Sequence, residues 1–533
     1  MRWRSLVFVG WLVAAGPVAA MPQLDVPLEH WSYDFAERLA LRAGQGRTFL
    51  DLRPVTRGEM AALVARLRTA VARGDFEPSG IEGQQLEMLA SEFSEELVAR
   101  GDSVPVLQRA YHVWNGDVWR LQAFWRGREQ ASSGDPDLDP AGSQVDGSFS
   151  LEPAAALRLG QHFVGFVELR YRVRTTTGTL VNSADVREGE AEYVFEPRDR
   201  FSISRALDPL VRYDRGRWRI GLERTRVRWG PARSDPMLLA DASPPLDALR
   251  FQLALGPVRF ASLAGQVRPA QLLPTDPELR ERRLAAHRLS IAPTQWLEFA
   301  FSEALVYGER GMDLAYLNPL AVLFVTQANL GDIDNALGSF DAALRLGRNL
   351  RLYGECVVDD LNLRRGLRHY GNKLGVALGF WAVSPFGAHD WEADGEWSWA
   401  SQYTYTHHDP VNRFEHYGAT LGSRIGPDAD LWVVGLRRHF TPGWSARAFY
   451  ELERHGEGDL AIGDDQRTTD EQDYLSGVVE SRHQPGFELR YRSVRRIDVD
   501  AEYRYVLVHD AGNDPNRSRL ERHAITVEAR VEF

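Results

Sequence analysis

Sulfur chemistry is almost absent from this chain. One cysteine, Cys356, occurs in 533 residues, which excludes an intrachain disulfide framework and any metal site built from several thiolates. Long apolar runs are missing as well. Beyond residue 20 there is no uninterrupted apolar stretch of 18 residues, and mean hydropathy is -0.35, so membrane crossing by helices is not expected. A basic surplus is also lacking. Net charge is -11, which argues against nucleic acid as a partner held through its phosphates. Finally, no nucleophile elbow, phosphate loop or zinc-protease helix appears. Asp359 and Asp360 are suited to acid–base work by type, but adjacent strand residues point to opposite faces. The pair His407-His408 has no third ligand at metal spacing and reads as solvated loop histidines. No catalysis, cofactor or metal is expected.

What is present begins with an address. Arg2 and Arg4 precede an apolar run from Leu6 to Ala15, and Val18-Ala19-Ala20 offers small residues for cleavage. That order of charge, apolar core and small residues predicts a secretory signal peptide over 1–20, cleaved near Ala20. Gly16-Pro17 interrupts the run too early for an anchor, which needs about 20 apolar residues. No cysteine stands after the cleavage site, so no lipoprotein anchor is expected. An exported chain that enters a membrane without apolar helices does so as strands.

Residues 21–110 read as a small α-helical domain. Phe35, Ala36, Leu39, Ala40 and Ala43 recur at helical spacing and Gly44 comes next as a stop. Thr56 and Glu59 form a capping box ahead of Met60, Leu63, Val64 and Leu67. Leu86, Leu89, Phe93 and Leu97 give a third stripe. The stretch from VPLEHWSYDFAERLALRAG to PVTRGEMAALVARL resembles one surface-layer-homology motif, a family whose repeats bind cell-wall polymers. The alternative is a plug or periplasmic cap for the remainder of the chain, and that is the preferred reading.

From about residue 112 the periodicity becomes two. Phe163, Val167, Leu169, Tyr171 and Val173 alternate with Glu168, Arg170, Arg172 and Arg174; Val499, Ala501, Tyr503, Tyr505 and Leu507 alternate with Asp500, Glu502 and Arg504. These runs approach the 9–11 residues that cross a bilayer, against about 5–6 for an ordinary strand. Phe340 to Asp360 reads as a hairpin turning at Gly347-Arg348-Asn349, with Asp341, Arg345, Arg351, Tyr353, Glu355 and Asp359 on one face and Cys356 on the other. So many charges suit a wet barrel interior. Polar connectors fall at 178–190, 235–246, 274–281, 456–473 and 510–518.

The last nine residues alternate without fault: Ile525, Val527, Ala529, Val531 and Phe533 against Thr526, Glu528, Arg530 and Glu532. Alone, this strand fits a soluble edge or a barrel seam. With the preceding strands it reads as the seam, expected to pair near Trp119 to Trp125. The fold class predicted is mainly β: a large antiparallel transmembrane β-barrel of about 16–18 strands over 111–533, preceded by the small α-helical domain.

The alternation fails at Trp218 to Pro231. Arg224, Arg226 and Arg228 share the parity of Trp218, Ile220 and Leu222, and each arginine on a lipid face costs about 2–4 kcal/mol near the midplane. Either a bulge swaps the faces or the strand has left the hydrocarbon by Arg224. Trp229-Gly230-Pro231 then ends it, with Arg233 just beyond. Guanidinium groups beside an indole suit an anionic sugar polymer; the alternative is a lumenal ladder paired with Glu355, Asp359 and Asp360. Asp313 to Asp334, with Asn318 in Tyr316-Leu317-Asn318-Pro319, is expected to fold inward as a lumenal loop or short helix.

The segments RVRWGPARSDPMLLADASPPLDALRF, AYLNPLAVLFVTQANLGDIDNALGSFDAALRL and LYGECVVDDL resemble the capsule-assembly family typified by Wzi. The resemblance implies an outer-membrane barrel with a helical bundle on its periplasmic side, which binds capsular polysaccharide and organises it at the cell surface. Implied partners are outer-membrane lipid, capsular or extracellular polysaccharide and, through the N-terminal domain, a cell-wall polymer. Arg224, Arg226, Arg228, Trp229, Arg233, Asn318, Glu355, Asp359 and Asp360 are the polysaccharide-binding candidates. The other function class is a porin-like channel for small sugars or ions.

Overall fold

The computed structural model describes residues 21–106, 112–115, 119–133, 145–176, 193–194, 201–269, 281–331, 333–366, 368–467, 469–493, 497–517 and 519–532. The expected signal peptide, the connector 178–190, most of the connector 274–281 and Phe533 lie outside them.

Four helices open the described chain: α1 Ser32–Arg42, α2 Arg57–Ala72, α3 Gly80–Glu92 and α4 Ser94–Ala99. The Thr56–Glu59 capping box forms, the Glu59 amide donating to Thr56 Oγ1 at 3.2 Å and the Thr56 amide to Glu59 Oε2 at 2.9 Å. A second box, Ser79 with Glu82, starts α3; its signature in the sequence is Ser-x-x-Glu. The third stripe does not make one helix. The chain breaks at Phe93, so Leu97 belongs to α4. Leu39, Met60, Leu67, Leu89, Phe93 and Leu97 converge in one buried core.

Among the described residues, twenty strands make a closed antiparallel sheet, and two of them, His112–Asn115 and Tyr193–Val194, are short. The other eighteen run from Trp119–Ser133 to Leu520–Glu532. Closure leaves no free edge, which is what a sheet in hydrocarbon requires. In the expected hairpin, Asn335–Leu346 and Leu350–Asp360, Phe340 is 56% exposed while Asp341, Arg345 and Arg351 are buried. Period two therefore sends the apolar set to lipid and the charges inward. Inside, the charges are paired: Arg288 grips Asp341 at 2.6 and 3.0 Å, and Arg437 meets Glu488 at 3.0 Å.

The terminal strand is the seam, but its register differs from expectation. Ile525 opposes Ser133 and Glu532 opposes Arg126, above Trp119–Trp125. The lower part of that same edge is taken by His112–Asn115, whose His112 opposes Ala123 and Asn115 opposes Arg120. The linker from the helical domain thus completes the wall where the last strand stops.

Short turns gather at one end of the barrel and long connections at the other, the asymmetry that puts turns in the periplasm and loops outside. The helical domain closes the turn end. Arg47 donates to the carbonyls of Ala292 and Pro293 at 2.9 and 2.6 Å, and Arg42 to Asn349 at 3.2 Å. Arg38 pairs with Glu392 at 2.5 Å, and Glu59 with Arg219 at 2.9 Å.

Candidate functional site

The arginine puzzle after Trp218 resolves by departure. The strand Trp218–Thr225 ends there, and the chain turns into the lumen instead of continuing along the wall. Of residues 235–246, expected as an ordinary connector, 235–245 belong to this lumenal segment and Leu246 opens the next wall strand. Arg228–Trp229 pairs with Leu52–Arg53 of the helical domain, and the Trp229 amide donates to the Leu239 carbonyl at 2.9 Å. Around them Val227, Trp229, Met237, Leu238 and Leu239 pack against Leu263, Leu284, Tyr353 and Val357 of the wall and Tyr405, Phe414 and Leu421 of the loop-end segment 401–428. This side of the lumen is a packed core, held together by apolar burial.

The segment's backbone is satisfied by wall carboxylates. Glu396 accepts from the amides of Arg233, Ser234 and Asp235 at 2.6, 3.0 and 2.9 Å. Glu355 Oε1 accepts from Met237 and Leu238 at 3.1 and 3.3 Å. The Asp235 side chain in turn accepts from Ser398 and Ser423 and, at 2.7 Å, from the Arg424 amide. Burial lifts the Asp235 carboxyl to about 6, although Arg424 and Ser423 pull the other way.

The nine candidates do not form one site. Arg224 lies at the strand end, 3.4 Å from Asp208 and 3.9 Å from Asp247. Arg226 pairs with Glu29, and Arg228 with Asp241 at 3.0 Å. Arg233 pairs with Glu37 at 2.8 Å and lies 4.2 Å over the Trp381 ring. The ion pairs of this ladder are thus not with Glu355, Asp359 and Asp360: Arg224 lies beside the wall carboxylates Asp208 and Asp247, and Arg226 and Arg228 meet carboxylates of the helical domain and of the segment itself. Trp229 is 1% exposed, so its ring faces core, not solvent. Asp359 accepts from the Tyr405 amide at 2.8 Å, whereas the exposed Asp360 pairs with Lys373 at 3.0 Å. Asn318 is exposed on a segment that does not fold inward at all: α5 Leu314–Leu317 and α6 Leu323–Asn329 lie on the outer wall, against the lipid-facing side chains of Arg282–Ile291, Leu297–Gly308 and Asn335–Leu346.

A different cluster stands at the loop end, in the stretch Leu363 to Tyr370, where no alternation marks a strand. Arg364, Arg365 and Arg368 are exposed. Arg467 lies 3.9 Å over the Tyr370 ring, Arg365 meets His369 at 3.3 Å, and Arg368 pairs with Asp473 at 2.6 Å. Backbone bonds from Tyr370 to the Asp470 carbonyl (3.1 Å) and from Gln472 to the Arg368 carbonyl (2.8 Å) join the two loops. Guanidinium groups can donate to sugar carboxylates and hydroxyls, and the phenol ring beside them offers a stacking face for a sugar. The signal that could have found them is arginine density in a connector: Arg364, Arg365 and Arg368 close together, with Arg467 across the paired loop.

Comparison with known proteins agrees with this architecture. The family model for the capsule assembly protein Wzi matches residues 128–517. The solved structure of Wzi from Escherichia coli, described as a carbohydrate-binding β-barrel of the outer membrane involved in group 1 capsule assembly, superposes with a TM-score of 0.54 at 14% identity, over 94% of this chain and 98% of that one. Looser similarity extends to OprD of Pseudomonas aeruginosa, at TM-score 0.45 and 9% identity over 78% of this chain and 94% of that one. No curated protein sequence matches the chain. The matched residues leave the N-terminal helical segment outside. The chain belongs to the Wzi capsule-assembly family, as an outer-membrane β-barrel.

Proposed function

We propose that this barrel is a non-enzymatic binder of extracellular polysaccharide that retains and organises the polymer at the cell surface, and that contact is made at the loop end. The observation carrying this reading is the packed lumen. With residues 226–245 folded against the wall and segment 401–428 above them, the surface offered outward is the loop end itself. There Arg467 lies over the Tyr370 ring, and Arg364, Arg365 and Arg368 are exposed on the same loop as Tyr370. Arg226, Arg228, Trp229, Arg233 and Glu355 then act by holding the lumenal segment, and Asp359 by holding segment 401–428 through the Tyr405 amide. The helical domain serves as closure of the turn end, with its charges engaged on the barrel.

The porin reading has one feature in its favour. The strands Ala429–His439, Trp444–His455, Glu480–Arg492 and Ile497–His509 line their side of the lumen with Arg437, Arg447, Glu451, Glu488, Arg490 and Arg504, and a cavity of about 200 Å³ opens near Arg437 and Arg490. Two measurements decide. Retention of purified capsular polysaccharide by the full chain in detergent supports the binder reading, and no retention overturns it. A stable open conductance of porin size in planar bilayers would replace it with the channel.

A further inference from the structure

The segment between the strands Leu297–Gly308 and Asn335–Leu346 lies on the wrong side of the wall for a lumenal plug and in the right place for contact with lipid. First, it covers outward-pointing side chains. Ala285, Leu305, Tyr307 and Ala336 have the parity of the exposed Leu289, Phe301 and Phe340, yet they are buried, in one cluster with Tyr316 and Leu323 of the segment. Second, the covered wall holds a polar pair. His287 Nδ1 lies 3.2 Å from Glu303 Oε1, both buried, and the Phe324 amide donates to Glu303 Oε2 at 3.4 Å. Glu303 is five residues below Gly308, about 16 Å along the strand. The segment therefore reaches well below the rim into a band about 25 Å tall.

Third, its outer surface is apolar. Residues 314–331 contain no charged side chain. Charges flanking the segment are turned to each other, Arg310 gripping Asp334 at 2.9 and 2.5 Å with the Tyr316 hydroxyl donating to Asp334 at 2.6 Å. Facing outward are Leu314 at 80% exposure, Leu320 at 88%, Phe324 at 56% and Val325 at 57%. A contiguous apolar patch of this kind marks a membrane or protein contact. Here it continues the barrel's own lipid-facing band at Phe301 and Phe340.

We infer that residues 312–331 form a flap seated among the acyl chains of the outer leaflet, where it screens the His287–Glu303 pair from hydrocarbon. The occupant is lipid because the patch is continuous with the lipid-facing wall and free of the charges that a rim contact with another protein usually carries.

The test uses the full chain with Cys356→Ala, carrying a single bimane label at Leu320→Cys or Val325→Cys, in phosphatidylcholine vesicles with or without acyl-chain bromine. A label at Phe340→Cys on the bare wall and one at Arg364→Cys on the loops set the two extremes. Both flap positions are exposed, so labelling leaves the packing intact. Quenching at Leu320 and Val325 of at least half the Phe340 value supports the inference. Quenching no greater than at Arg364 overturns it. So does oxidative cross-linking of two Leu320→Cys chains with bromine quenching lost, which would make the face an interface between copies.

Discussion

Arg212 of the wall grips Asp25 of the N-terminal segment with two hydrogen bonds, 2.8 Å to Oδ1 and 2.7 Å to Oδ2, and Arg250 adds a third at 2.7 Å. Burial drives the Asp25 carboxyl upward, but Arg212 and Arg250 outweigh it and hold the group below its ordinary value. An acid depressed in this way stabilises docking above its unfolded value, about 3.9, and loses that contribution as pH falls through the lower folded value. Asp25→Ala leaves Glu223 as the remaining carboxylate partner of both Arg212 and Arg250, and losing these three hydrogen bonds should loosen the helical domain at neutral pH by about 1–3 kcal/mol. Limited proteolysis of residues 21–106 reads this. The wild type should stay protected at pH 7 and open only on strong acidification; equal protection in both proteins would sink the prediction.

Asp235 gives the opposite sign. Its carboxyl is raised to about 6, so its contribution is fully present below the unfolded value near 3.9 and is lost as pH rises through about 6. The wild-type barrel should therefore gain thermal stability in detergent as pH drops from 7 towards 5. Asp235→Asn keeps an acceptor for the Arg424 amide and should flatten that slope. A slope unchanged by the substitution would show that another group titrates.

Trp229 is a core residue by placement. Trp229→Ala should cost about 3–5 kcal/mol, seen as a lower melting temperature, while polysaccharide retention by the folded fraction stays near wild type. A selective loss of retention at full stability would return Trp229 to the binding surface.

Gly230 has φ +124, and a Cβ there would run into the Glu355 carboxylate. Gly230→Ala should therefore displace the turn after Trp229, with strain of about 1–3 kcal/mol, and free part of the lumen. Planar-bilayer recordings should show more frequent openings than the wild type; identical traces would mean the turn does not gate the lumen.

Arg364→Ala and Arg365→Ala together should weaken polysaccharide retention several-fold, with the melting temperature within error of wild type, since both side chains are exposed and exposed side chains contribute little to stability. Unchanged retention would place binding elsewhere on the barrel.

The barrel is legible in the sequence because period two is a local property. The faces of Phe340–Leu346 and Ile525–Val531 are set by the residues themselves, and the Thr56–Glu59 box needs only four positions. Direction is not legible once the period fails. The two irregular stretches, 226–245 and 312–331, both lose the period of two and both carry Pro and Gly, which marks a break in the wall but not its direction. One turns inward because Glu355 and Glu396 await its amides, the other outward because Ala285, Leu305 and Tyr307 await its apolar side chains. Those partners lie about 100 residues or more away for the first, and on nearby strands for the second. The partners of the arginine ladder are hidden for the same reason: its carboxylates Glu29 and Glu37 belong to another domain.

The strand His112–Asn115 has a mechanical consequence. These four residues, which lead from the helical domain into the barrel, are hydrogen-bonded into Trp119–Ser133, on the edge that the terminal strand shares. Pulling them out would break backbone ladder beside the terminal strand, so the segment that joins the two parts of the chain also finishes the cylinder.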